Sequence, residues 1–332
     1  MNVIACNGLR GGEMRTLAGQ LARGLRLPVI GAPLFIISNP ALVIAQCTAG
    51  IIGAVPSLNA RGTDRLEDWL AQIEAALSAH DAAQPQALAA PYAVNLIIHR
   101  SNVRLEEDLA VCARFRVPLV ITSLGARADV NAAVHGWGGR VFHDVTTQHF
   151  ARKAVEKGAD GLVLIAAGAG GHAGAQSPFA LMSETRAWYD GPIALGGAIS
   201  TGAGILAARA MGADFAYIGS PFIATREASA TLAQKQAVVA ASAADIVTSP
   251  YFTGLPANYL RASIHAQGLD PDALPTGNLG MDFASGSTAK AWRDIWSAGH
   301  GVGAVHAVES AAALIDRLAR DYAAARAALL AR

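Results

Sequence analysis

The densest chemical signal in the chain is AAGAGGHAGAQSPF, Ala166–Phe179. A free imidazole titrates near pH ~6.5, so His172 can accept or return a proton at neutral pH. Glycines 168, 170, 171 and 174 surround it and let the backbone come close to a ligand. On its own, a histidine in such a loop could also be solvent-exposed filler. Two further loops, LGGAISTG (Leu195–Gly202) and IGSP (Ile218–Pro221), could hold an anion. They would do so through the main-chain N–H groups of Gly197, Ala198, Gly219 and Ser220, with no lysine needed. Each loop alone reads equally as a tight turn. In PVIGAPLF (Pro28–Phe35), the apolar backbone of Ala32, Pro33 and Leu34 could lie against a flat ring, or simply end a buried strand.

Other chemistries are poorly supported. His143 and Asp144 end an apolar run and would face the same direction as the loops above; His99 and His300 are loop residues. There is no HExxH, and the histidines and acids do not cluster, so no catalytic metal is expected. The sequence has neither G-x-S-x-G nor G-x-x-x-x-G-K-[ST], which argues against a serine hydrolase and a P-loop.

These loops need elements to position them. Strands are predicted at Pro28–Pro33, Ile51–Val55, Tyr92–Leu96, Pro118–Thr122, Arg140–Asp144, Gly161–Ile165, Pro192–Leu195 and Ala216–Ile218. Eight short apolar runs alternating with helical patterns predict a (β/α)₈ barrel, with a doubly wound open sheet as the alternative. In a barrel, the candidate loops follow the first, sixth, seventh and eighth strands, on the face where barrel active sites form. KAVEKGADGLVLI (Lys153–Ile165) and ARAMGADFAYIG (Ala208–Gly219) echo each other, each glycine suited to end a helix in the left-handed region.

The rhythm breaks after the eighth strand. Thr225–Ala243 is predicted as a helix, and Asp245–Thr288, rich in Gly, Pro, Ser and Asn, as an irregular lid. The expected organisation is therefore a barrel of residues 1–221 and 300–332 with a helical and loop lid at 222–299. Tyr251 and Tyr259 are expected as pocket walls, and Ala307–Leu329 as the closing helix.

The formal net charge is +1, so no field for nucleic acid or an anionic membrane is expected. Mean hydropathy is positive, yet Gly, Pro or charge breaks every apolar run, which suits buried strands rather than a membrane span. Cys6, Cys47 and Cys112 form no CxxC, and MNVIACNGLRGGEMR lacks the basic-then-apolar order of a secretory signal. A cytoplasmic protein with free thiols is expected; the oligomeric state is left open.

Taken in order, PVIGAPLF, AGAGGHAG with the following SPF, LGGAIS, TGLPANYLR and WRDIWSAGHGVGAV (Trp292–Val305) resemble the nitronate monooxygenases, formerly called 2-nitropropane dioxygenases. The resemblance spans roughly Pro28 to Leu318. It implies a barrel that binds FMN non-covalently and oxidises alkyl nitronates with O2 to carbonyl compounds and nitrite. It implies His172 as the catalytic residue, with Gly171 and its neighbours giving the substrate room. Ala32, Pro33 and Leu34 would lie against the flavin, Asn95 would make a polar contact with it, and Gly197, Gly219 and Ser220 would hold its phosphate. Gly299 and Gly301 match positions beside the cofactor. His300 departs from the pattern, which has glutamine there. The same scaffold serves NAD(P)H-dependent quinone and enoyl reductases, so a flavin reductase is the alternative; a flavin-binding protein without turnover is a third reading.

Overall fold

A computed structural model of the chain describes residues 11–61, 65–275 and 292–331. Eleven strands are numbered along the chain: β1 Val29–Gly31, β2 Gly53–Pro56, β3 Tyr92–Ile97, β4 Leu119–Ser123, β5 Arg140–Val145, β6 Gly161–Ile165, β7 Gly171–His172, β8 Ile193–Gly196, β9 Phe215–Ile218, β10 Ile246–Ser249 and β11 Ala257–Leu260. Eight of them pair in parallel in the order β1-β9-β8-β6-β5-β4-β3-β2. A parallel bridge between Ile30 and Ile52 joins the two ends, with Gly31 N donating to Ile52 O at 2.8 Å. The sheet is therefore a closed (β/α)₈ barrel, and each of its eight strands falls on a run predicted from sequence.

The strands are apolar on both faces because both are covered. Inside the barrel Ile30, Ile52, Ala93, Leu119, Ile121, Phe142, Val163 and Phe215 pack together. Each fully buried side chain of this size contributes roughly 1.5–3 kcal/mol. Gly161 opens β6 because a Cβ there would strike the Phe142 ring. The Gly-Ala-Asp echo has a physical basis. Gly158 (φ 90°) and Gly212 (φ 99°) end helices Gln148–Glu156 and Gly202–Ala210 in the left-handed region. The following aspartates accept main-chain N–H groups that start neighbouring strands, Asp160 from Val141 and Asp214 from Ile193, both at 2.8 Å.

The insertion after β9 is more ordered than its composition suggests. The helix expected from Thr225 begins only at Leu232, where Thr231 caps it by accepting from Gln234 N at 3.2 Å. The residues before it are claimed by tertiary bonds, Arg226 N to Glu309 O and Ser229 N to Ile37 O, both 2.9 Å. The stretch expected to be irregular contains an antiparallel hairpin, β10–β11, and a short helix, Arg261–Ala266. The rest of that expectation, residues 276–288, lies outside the described residues. The last helix starts at Ala311, capped by Ser310, and not at Ala307. Cys47 and Cys112 are buried free thiols, Cys47 pushed up to about 12 by burial; Cys6 lies outside the described residues. Among the described residues no helix is long and apolar enough to cross a membrane, and no cluster could hold a metal ion.

Candidate active site

The C-terminal ends of the strands open into a cavity of about 1340 Å³. Its wall has two arcs and a roof. The first arc follows β8, β9 and β1 and is mostly main chain. Gly197 takes φ +142°, and a Cβ there would sit 2.8 Å from Ala167 O. A Cβ on Gly219 would crowd Leu34 at 3.3 Å and Ala32 at 3.4 Å. Ala198 (φ 54°) and, beside the loop after β1, Ile36 (φ 59°) are non-glycine residues held in the left-handed region. Leu124 (φ 60°), after β4, is a third. Such strain persists only where surroundings over-determine it, and it gathers at functional sites. Asn59 supplies that constraint for the loop after β1: its side chain accepts from Ile36 N (2.7 Å) and donates to Leu34 O (3.0 Å) and Ser38 O (2.8 Å).

The second arc, at the ends of β3, β4 and β5, is built from side chains. Asn95 Nδ2 donates to Ile121 O at 2.9 Å and to Ser123 Oγ at 2.7 Å, and Ser123 Oγ donates to Asp144 Oδ2 at 2.5 Å. His143 Nδ1 lies 2.6 Å from Thr122 Oγ1, and burial pulls its pKa down to about 4.

The roof comes from the glycine loop and the insertion. Gly171 and His172 form a two-residue strand, β7, that pairs antiparallel with β11, Ala257 opposite His172 and Asn258 opposite Gly171. Ser297 Oγ accepts from Gly171 N (2.6 Å) and donates to Asn258 O (2.8 Å), while Asn258 Nδ2 donates to Ala169 O (2.7 Å). The His172 ring meets the edge of Trp292 at 5.6 Å. Its Nε2 lies 3.1 Å from Thr253 Oγ1, whose own hydroxyl donates to Leu255 O at 3.2 Å. With the Thr253 proton placed on Leu255 O, Nε2 is assigned as the protonated nitrogen, which leaves the basic lone pair on Nδ1. Burial lowers His172 to about 4, so the ring is neutral at physiological pH.

Most candidate residues from the sequence come together here: Ala32, Pro33, Leu34, Asn95, Gly171, His172, Gly197, Gly219, Ser220 and Gly301 all line the cavity. Gly299 stands behind the wall, its N–H donating to Ser220 Oγ at 2.8 Å. The His300 side chain is exposed and its N–H donates to Gly168 O at 2.9 Å. Tyr259 is buried in the core of the insertion against Phe252 and Trp292. The insertion contributes Ile223, Gln234, Thr253–Pro256, Trp292, Ser297 and Ala298 to the wall. Sequence reading missed Thr253, Asn258, Ser297 and Ser123. The first two lie in TGLPANYLR and the third in WRDIWSAGHGVGAV, segments already singled out; nothing in the sequence marked Ser123.

The sequence model of the family described as nitronate monooxygenase matches residues 21–321. The chain belongs to the nitronate monooxygenase family. A nitronate monooxygenase from Paraburkholderia phytofirmans is 26% identical over 347 residues, covering 90% of this chain and 93% of that protein. Among solved structures, FabK from Thermotoga maritima superposes with a TM-score of 0.75 at 21% identity, covering 95% of this chain and 98% of that one. Nitroalkane oxidase from Streptomyces ansochromogenes gives 0.73 at 24% identity, covering 93% and 99%. At these identities the two structures show a shared fold. Nitronate monooxygenase family members are flavin-dependent oxidoreductases, and the cavity suits a flavin. One arc leaves room for a phosphate against main chain, the apolar segment Ala32–Leu34 offers a face for a ring, and the opposite arc offers polar side chains to a ring edge.

Proposed function

We propose that this family member binds FMN and oxidises alkyl nitronates with O2, giving a carbonyl compound and nitrite. The observation that carries the reading is His172, a neutral imidazole with an assigned basic nitrogen, roofing a cavity that also has a main-chain arc for a phosphate. Gly197, Gly219 and Ser220 would hold the phosphate, Ala32, Pro33 and Leu34 the ring face, and Asn95 a polar ring contact. Gly301 would lie beside the cofactor, with Gly299 bracing Ser220 from behind. Bound FMN supplies the electron acceptor and the route to O2. His172 Nδ1 would take the acidic carbon proton of a neutral nitroalkane. The resulting imidazolium would then be stabilised by the anion it has just made, offsetting the burial that otherwise disfavours its charge. Gly171 leaves the approach open, since a Cβ there would meet nothing closer than Trp292 at 4.0 Å. Residues 1–221 and 300–332 are assigned to the FMN-binding barrel, and 222–299 to the lid that shields the reacting carbon from water.

Cavity size favours a second reading. Pockets for drug-sized ligands measure about 300–1,000 Å³, and this cavity, near 1340 Å³, is larger than that range. An NAD(P)H-dependent quinone or enoyl reductase would use the larger space. The purified protein should be yellow and release FMN on denaturation. Nitrite formation with O2 uptake on a nitronate, without NADH, supports the monooxygenase; NADH oxidation that depends on a quinone or enoyl acceptor, without nitrite, replaces it with the reductase.

A further inference from the structure

Asp144 lines the cavity, yet the reaction outlined above gives it no task. It ends a hydrogen-bonded chain with a fixed direction. The Asn95 amide nitrogen donates to Ile121 O and Ser123 Oγ, and the Ser123 hydroxyl donates to Asp144 Oδ2. Asn95 donates to Ser123 and Ser123 to Asp144, so the chain ends on Asp144, whose Oδ1, like Asn95 Oδ1, is left to act outward. The arc also lies across the mouth from the main-chain arc: around the closed sheet, β5–β4–β3 and β8–β9–β1 are separated by β6 on one side and β2 on the other. A molecule whose phosphate rests on the β8–β9 loops and which spans the mouth brings its other end over Asn95, Ser123 and Asp144.

We infer that Asp144 is a cofactor-facing residue that meets the flavin ring as a neutral carboxylic acid, donating from Oδ1 while Ser123 holds Oδ2. This rests on the reading that the cavity binds FMN. The surroundings favour the neutral form. Tyr217, from β9, lines the same cavity and is itself held well above its ordinary value, by burial first and then by Asp144. His143, on the same strand, is turned to Thr122, and His172 in the roof is neutral. His99, Lys153, Glu156 and Lys157 also line the cavity, and among the described residues neither lysine forms an ion pair with Asp144. Burial raises Asp144 to about 7, opposed by the Ser123 hydroxyl. A carboxyl without a cation in such a place keeps its proton near neutrality, and only the protonated form can donate.

Apoprotein is titrated with FMN at pH 6, 7, 8 and 9, following flavin fluorescence, for the wild type and for Asp144→Asn. Asparagine is neutral and keeps a donor at every pH. The second ionisation of the FMN phosphate, near pH ~6, affects both proteins and cancels in their ratio. The two affinities should agree within about threefold at pH 6. Above neutrality the wild type should then fall behind by up to about tenfold per pH unit, the linkage expected when one proton must be bound. Parallel pH profiles would overturn the inference, as would a wild type that gains on the variant as pH rises. Failure of the wild type to bind FMN at any pH would remove the FMN reading itself, and this inference with it. If the variant does not fold, the infrared carbonyl band of the wild-type holoprotein decides: a protonated-carboxyl band should be present at pH 6 and lost at high pH, and its absence at pH 6 overturns the proposal.

Discussion

On the β8–β9–β1 arc glycines and main chain form much of what faces the cavity; on the β3–β5 arc polar side chains do, among them Asn95, Ser123 and Asp144. The first arc gets its shape from backbone conformation, as at Gly197 with φ +142°, and its titratable side chain, Tyr217, is held neutral well above its ordinary value by burial. The second gets its shape from a chain of hydrogen bonds that ends in an acid. An arc of main chain resists pH but tolerates no added atoms. An arc of side chains tolerates isosteric replacement but changes with protonation.

The largest expected effect is on the roof, where a side chain would do the chemistry. His172→Asn keeps roughly the ring's size but removes the base. Turnover of a neutral nitroalkane should fall ~10²–10⁴-fold with FMN content intact, and turnover of a pre-formed nitronate much less. Equal losses on both substrates would point to binding of the anion rather than proton removal. On the main-chain arc, Gly197→Asp adds a carboxylate opposite the phosphate and a Cβ 2.8 Å from Ala167 O. Like charges brought together cost several kcal/mol, so FMN affinity should fall roughly 10²–10³-fold, read by flavin titration. If Gly197→Asp binds FMN normally, the phosphate is not on that arc.

A smaller effect is expected from the side-chain arc, through pH. Asp144 is raised to about 7 in the fold against about 3.9 unfolded, so its stability contribution is lost as pH rises across that interval. His143 and His172 are lowered to about 4 from about 6.5, so theirs is lost as pH falls across nearly the same interval. The two histidines outweigh the one acid, and cofactor-free protein should lose stability on acidification from about pH 6.5 to 4. Asp144→Asn removes the opposing contribution: its melting temperature should exceed the wild type's by a few degrees above pH 7, with a steeper acid fall. Equal curves would mean that Asp144 is ionised at neutral pH. The smallest effect is at Thr253. Thr253→Val removes the acceptor for His172 Nε2, and loss of one such bond should reduce nitroalkane turnover by about tenfold or less. The tautomer is read independently from imidazole ¹⁵N shifts; unchanged shifts would show that Thr253 does not set it.

The barrel was legible because a strand buried on both faces leaves a short apolar run that nothing else on the chain resembles. The glycine loops were legible because their conformations favour glycine, as at Gly171 (φ +70°) and Gly197 (φ +142°). The β10–β11 hairpin was not, since Ile246–Ser249 and Ala257–Leu260 sit among Gly, Pro and Ser and become strands by pairing with each other and with β7. A strand of two residues inside AGAGGHAG leaves no period to detect. Thr253 reaches His172 from 81 positions away, a distance that no local spacing encodes. Asp144 could be placed at a strand end, but the burial that sets its charge comes from neighbouring strands and cannot be read from β5 alone.

His172 is knitted to the insertion twice, by main-chain pairing opposite Ala257 and by its ring nitrogen to Thr253. An outward swing of the ribbon therefore carries the imidazole away from the mouth. With His172 as the proposed base, the conformation that admits a molecule would be one without its proton acceptor in place, and a molecule over which the ribbon cannot settle would meet a disarmed site. Access and reactivity would then work as an interlock, screening cargo by fit before any bond is at risk. Amide hydrogens on β7 and β11 should accordingly exchange in step, and a fast β11 beside a protected β7 would show that the two come apart.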